Sequence, residues 1–232
     1  MVHCAMSRRI AALNTNGALC LRRGDLKEAI LVFRHAIECM KSLVERVLPT
    51  CHATWEPTHE LTLSRLAIPC LEESQSLQIS PHNIFDIFQN AFILPKVESL
   101  AEFRTESSVV LFYNLALAHH LAGLRDGTED AKHHLREGER FYQISLALLQ
   151  SSADGLLFDA SCYALLLALV TNLGHIFSHS WKVDEADSCR RMLEELLESG
   201  ATLGLSDEEE LFFLTSVAHS KPTHSFALAP AA

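Results

Sequence analysis

The side chains best able to do chemistry in this chain are its 13 histidines, because an imidazole binds metals and carries protons near neutral pH. His175 and His179 stand four apart, on one face of a helix, which is the spacing of a metal-binding pair. A metal also needs further ligands and outer partners that orient them. The local sequence supplies none, since Trp181 and Lys182 follow at once. The pairs His119-His120 and His133-His134 are adjacent, so each points to divergent faces of its helix. They read as polar surface with one partly buried ring. A metal-binding protein or enzyme would need His175 and His179 to meet His119 or His120 and a carboxylate through the fold. That is the alternative reading; the expectation is no metal and no cofactor.

Covalent chemistry has no better foothold. The chain has no Gly-x-Ser-x-Gly elbow, no cysteine beside a histidine in a known signature and no phosphate-binding glycine loop; its nine glycines are scattered at turns and helix contacts. Its seven cysteines are odd in number and never two apart, which suggests neither a disulfide framework nor a zinc knuckle. A reducing, intracellular compartment is expected, cytoplasmic rather than nuclear. Nineteen basic against 29 acidic residues give a net charge of −10, which repels phosphate backbones and anionic bilayers. Nucleic acid and membrane are therefore not expected as partners. The most apolar run, Cys162 to Val170, gives way to Thr171 and Asn172, short of the roughly 20 residues that cross a bilayer. With 48% apolar residues a sizeable core is possible. The expectation is a protein that is not an enzyme.

The organising stretch is Leu13 to Ala36. Leu13, Gly17, Cys20 and Leu21 recur three and four apart, Gly24-Asp25 breaks the period, and Leu26, Ala29, Ile30, Phe33, Ala36 and Ile37 resume it. This predicts two amphipathic helices joined by a tight turn. Asp25 and Glu28 have capping-box spacing. Gly17, Ala29 and Ala36 let two backbones approach, with Phe33 filling the space between. On these residues, with the turn glycine Gly24, the stretch resembles a tetratricopeptide repeat; Asn16 and Cys20 depart from the pattern. One unit cannot bury its own apolar face, so the resemblance implies more units.

The first unit is read as residues 9–48 after a frayed lead-in of residues 1–8. Its second helix runs through Met40, Leu43, Val44 and Val47 and is stopped by Pro49. Residues 49–106 hold five of the seven prolines and read as a partly disordered insertion. Within it, residues 50–76 are expected to be a surface loop. Leu77 to Leu94 is apolar enough that it must dock on the helical array. Whether residues 84–94 are helix, begun by Ser80-Pro81, or strand stays open. A second unit, 107–150, carries Phe112, Leu115, Ala116, His119 and Gly123, then Gly138, Tyr142 and Ser145. Residues 125–134 read as an enlarged turn, with Thr128 capping the next helix. A third unit, 156–199, carries Val170, Leu173, Gly174 and Phe177, Trp181 in its turn, then Ala186, Arg190 and Leu193. Arg190 stands where an aromatic is usual. Asp187, Glu194, Glu195 and Glu198 form an acidic stripe expected to be a solvated face. Residues 200–232 are a capping tail in which Asp207 could cap a last short helix, residues 211–218 could be helix or strand, and the last dozen are expected to be mobile. The spacing of Gly17, Ala116 and Gly174 is uneven.

The expected fold is all-α: a single domain in which three helix pairs stack as a right-handed superhelix, with a long insertion after the first. The resemblance implies that the first helix of each pair lines a concave groove. The facing residues would be Asn14, Ala18 and Arg22; Tyr113, Asn114, Leu117 and His120; and Thr171, Asn172, His175 and His179. Asn114 matches the position where chaperone-binding members hold a peptide's terminal carboxylate. Asn14, Ala18, Ala168 and Asn172 stand in place of that clamp's basic residues, so the match does not extend to a carboxylate clamp. The expected function is a non-enzymatic interaction scaffold holding a peptide or helix of a partner protein in this groove. Its rival is a groove plugged by the chain's own Leu77 to Leu94.

Overall fold

The computed structural model describes residues 2–47, 63–69, 85–95, 105–125, 129–152, 160–199 and 204–220. Seven helices and one two-stranded hairpin are formed by these residues: α1 (Val2–Arg22), α2 (Leu26–Val47), β1 (Ser64–Ala67), β2 (Asn90–Ile93), α3 (Thr105–Arg125), α4 (Glu129–Ser152), α5 (Ala160–His179), α6 (Val183–Glu198) and α7 (Asp207–Ser220). The protein is mostly helical. Successive helices pack as the pairs α1/α2, α3/α4 and α5/α6, with α2 against α3 and α4 against α5, while α1, α3 and α5 run beside one another.

Backbone chemistry explains where the first pair turns. Gly24 adopts φ 77°, which lets the Asp25 amide donate to Cys20 O at 3.0 Å and the Gly24 amide to Leu21 O at 2.9 Å. These bonds satisfy the last carbonyls of α1. The third pair makes the same turn with Trp181 at φ 60°, where the Lys182 amide reaches Phe177 O at 2.9 Å. In place of the expected capping box, the Asp25 carboxylate pairs with Arg23 Nε at 3.1 Å. Close approach needs small residues. A Cβ on Gly17 would lie 2.5 Å from the Phe33 ring, and one on Gly138 would lie 3.3 Å from Ala116 O.

Several boundaries differ from the sequence reading. α1 starts at Val2, not near Arg9, because Met6 packs on the core and Ser7 is buried. α4 starts at Glu129, so 129–134 are helix rather than an enlarged turn; Asp130 sits where the amide end of a helix favours negative charge. Part of the expected loop is a strand, β1. Residues 90–93 resolve as strand and 211–218 as helix. The cap of α7 is Ser206, not Asp207: Ser206 N donates to Glu209 Oε2 at 2.9 Å, and Glu209 N to Ser206 Oγ at 3.3 Å. The acidic stripe is only partly solvated, since Asp187 and Glu194 each hold Arg190 at 2.7 Å. Thr128, Ser80-Pro81 and the last dozen residues lie outside the described residues.

The two most apolar helices are spent on packing. Windows Ser107–Arg125 and Cys162–His179 are long and apolar enough to cross a bilayer, yet 83% and 89% of them are buried inside the protein.

Candidate functional site

Residues 85–94 lie against faces of α1, α3 and α5 that carry asparagine amides and a tyrosine hydroxyl. β1 and β2 pair antiparallel, with Arg65 opposite Phe92 and Leu66 opposite Ala91. β2 and the residues before it lie against α1, α3 and α5. Phe85, Phe88, Ala91, Phe92 and Leu94 are all buried there.

Two asparagines grip this segment by its backbone. Asn114 on α3 accepts from the Phe92 amide at 3.0 Å and donates to the Phe92 carbonyl at 2.7 Å. Asn172 on α5 accepts from the Phe88 amide at 2.8 Å and donates to the Phe88 carbonyl at 3.2 Å. A carboxamide matches a peptide unit donor for acceptor, so each pair replaces what a neighbouring strand would provide. Asn14 on α1 adds a donor to the Phe92 carbonyl at 3.0 Å and accepts from Asn114 at 2.8 Å. Phe88 O and Asn90 O lie 3.3 and 3.2 Å from the Tyr113 hydroxyl. Asn172 Nδ2 also lies 3.0 Å from Tyr142 OH and 3.3 Å from Tyr113 OH; its two hydrogens serve two of three acceptors at once. Burial pushes both tyrosine hydroxyls well above their usual pKa, so they remain donors.

The rings of the segment are seated as firmly. Phe88 stacks on Phe213 of α7 at 5.0 Å and leans on Phe212 at 5.6 Å. Phe92 meets Tyr113 edge-on at 5.1 Å. Phe85 covers Gly174, where a Cβ would lie 2.7 Å from its ring. Arg65 of β1 closes the arrangement, pairing with Glu209 at 2.8 Å and donating to Gly204 O at 2.7 Å.

The residues expected to line the groove are thus divided. Asn14, Ala18, Tyr113, Asn114, Leu117, His120, Thr171, Asn172 and His175 are all buried. Arg22 and His179 are exposed. Asn14, Tyr113, Asn114 and Asn172 touch the segment; Arg22 and His179 make no hydrogen bond to it. Sequence reasoning missed Arg65, Glu209 and the ring pair Phe212-Phe213. The run Leu-Phe-Phe-Leu was the one signal available for the last of these.

The histidines pair with each other. His120 Nε2 and His175 Nδ1 are 3.0 Å apart in the core, and His119 Nδ1 and His134 Nδ1 are 2.9 Å apart nearer the surface. Each contact occupies a ring nitrogen that a metal would need. Burial pushes His175 down to about 3, with the His179 charge adding. Burial also lowers His119 to about 3, helped by His134 and Arg34, and drives His120 well below its ordinary value. His179 stacks 6.3 Å from His175. Among the described residues no group of three or more histidine, cysteine or carboxylate side chains is arranged to hold a metal.

No family model matches this chain, and no curated protein or solved structure matches it either.

Proposed function

We propose that this protein is a non-enzymatic interaction scaffold, a right-handed tetratricopeptide-like stack of three helix pairs, whose groove holds an extended segment of a partner protein. The free chain keeps the groove closed with its own Phe85–Leu94, and the partner takes that segment's place.

The observation that carries this reading is the pair of carboxamide clamps, Asn114 on Phe92 and Asn172 on Phe88. The hydrogen bonds they make to the segment reach its backbone atoms, so they would hold another extended chain as well as this one. A groove lined by asparagine amides and tyrosine hydroxyls can also be rehydrated when its occupant leaves, whereas an apolar trough cannot. Exchange has a strong competitor. Four buried side chains, Phe85, Phe88, Phe92 and Leu94, contribute about 1.5–3 kcal/mol each, and the tether keeps the segment at an effective concentration in the millimolar range. A partner must therefore offer comparable apolar surface.

The alternative built on His175 and His179 draws no support from the geometry, since His175 is spent on His120.

The reading is tested by selecting binders to the full chain from a displayed library of random peptides, then measuring amide exchange of the chain with a selected peptide bound. Groove exchange predicts that the Phe88 and Phe92 amides lose protection. Peptides that bind while both amides stay protected would place the interaction elsewhere.

A further inference from the structure

In the first helix pair, the ring that fills the space over Gly17 comes from Phe33 on the pair's own second helix. In the third pair the second helix offers no ring there: Arg190 stands at that place in the pattern and is held by Asp187 and Glu194. The ring over Gly174 comes from Phe85 of the docked segment instead. The third pair is complete only when something lies in the groove.

The docked segment also shows what the groove reads. Phe85 is seated against Gly174, Phe88 against Phe212 and Phe213, and Phe92 against Tyr113, with the Phe88 and Phe92 rings 6.3 Å apart. They are 3%, 3% and 0% exposed, and Ala91, also at 0%, leaves no room for a larger side chain. Asp86 between them is exposed, and Ile87, Gln89 and Asn90 are half-buried. The seats enclose their rings, and the positions at 86, 87, 89 and 90 are less enclosed.

We infer that the partner is an extended protein segment with aromatic side chains at its first, fourth and eighth positions and a small residue at its seventh, and that Gly174 is the residue that selects the first ring. This rests on the exchange reading above. A ring at the first position fills the slot that the missing Cβ leaves; a smaller side chain leaves a void with no partner atoms on one side. A side chain on Gly174 would close the slot and remove the preference.

The probe is a fluorescently labelled synthetic peptide of this chain's own residues 83–96, titrated into the full-length protein and followed by anisotropy. In the chain, Phe88→Ala loosens the tethered competitor without touching the groove wall. Arg65→Ala loosens it by a different route, removing only the link to Glu209 and Gly204, and carries the test if the first variant does not fold by circular dichroism. The peptide should bind a loosened chain at least tenfold more tightly than the wild type. Peptides with alanine at Phe85, Phe88 or Phe92 should each bind about thirtyfold more weakly than the native peptide. Adding Gly174→Ala to the loosened chain should erase the penalty at Phe85 while leaving those at Phe88 and Phe92.

Equal binding of native and alanine peptides overturns the aromatic pattern and leaves the groove reading standing. No binding to either loosened chain, both folded, overturns the groove reading as well. A loosened chain that exchanges segments with a second copy and refuses the peptide overturns the proposal of a separate partner.

Discussion

Replacing Asn172 by alanine isolates one clamp. The side chain makes both backbone contacts to Phe88 and donates to Tyr142, and all three residues are buried. With the carboxamide gone, the Phe88 amide has no acceptor in the groove; its carbonyl still has Tyr113 at 3.3 Å. A buried amide left unpaired costs about 1–3 kcal/mol, and the bond lost by Tyr142 adds about 1 kcal/mol. The expected loss is about 2–4 kcal/mol. At about 2–4 °C per kcal/mol for a chain of this length, the thermal midpoint should fall by about 5–15 °C. Calorimetry measures the total, and residue-resolved amide exchange locates it: the Phe88 amide should speed up more than the Phe92 amide, which Asn114 still holds. Asn16→Ala, an exposed asparagine on α1, is the control and should change stability by less than about 0.5 kcal/mol. A loss below about 1 kcal/mol, or equal acceleration at Phe88 and Phe92, would refute the clamp.

Acid should weaken the fold through the buried rings. His175 and His119 titrate near 3 in the folded chain and near 6.5 when unfolded, so only the unfolded state gains protons as pH drops below 6.5. Stability is undiminished above 6.5 and falls from there toward pH 3, by up to about 1.4 kcal/mol per pH unit for each ring kept neutral. Urea midpoints at pH 7 and pH 5 check this, and a flat profile would contradict it. The two matching turns give opposite expectations. Gly24→Ala at φ 77° should cost about 1–2 kcal/mol, whereas Trp181→Gly at φ 60° should cost less than about 1 kcal/mol, because the indole is 68% exposed and glycine relieves the backbone. Thermal melts of both variants decide the point, and equal losses would count against it.

Much of the helical frame was legible because it is local. The period that restarts at Leu26 and runs to Val47 reproduces α2 as found, and Gly24 marked the turn because glycine reaches φ 77° without strain. The apolar content of Leu77 to Leu94 required that it dock, and Asn14, Asn114 and Asn172 could each be placed on a helix face from the period alone. What could not be read was the meeting of the two. Asn172 and Phe88 lie 84 residues apart, and nothing near either says that a carboxamide will find that peptide unit. β1 was missed for the same reason: four residues become a strand only because Asn90–Ile93 arrive beside them. The histidine pairs, by contrast, looked like surface, because a helix wheel shows which face a ring is on and not what will pack against it.

The measurement that bears most directly on the account is amide exchange across residues 85–94 of the intact, partner-free chain at neutral pH. If Asn114 and Asn172 hold the segment in the groove, the Phe88 and Phe92 amides should exchange as slowly as those of the α3 core around Leu115 and Leu117. Exchange of both at the rate of an unprotected peptide, with α3 still protected, would contradict the account.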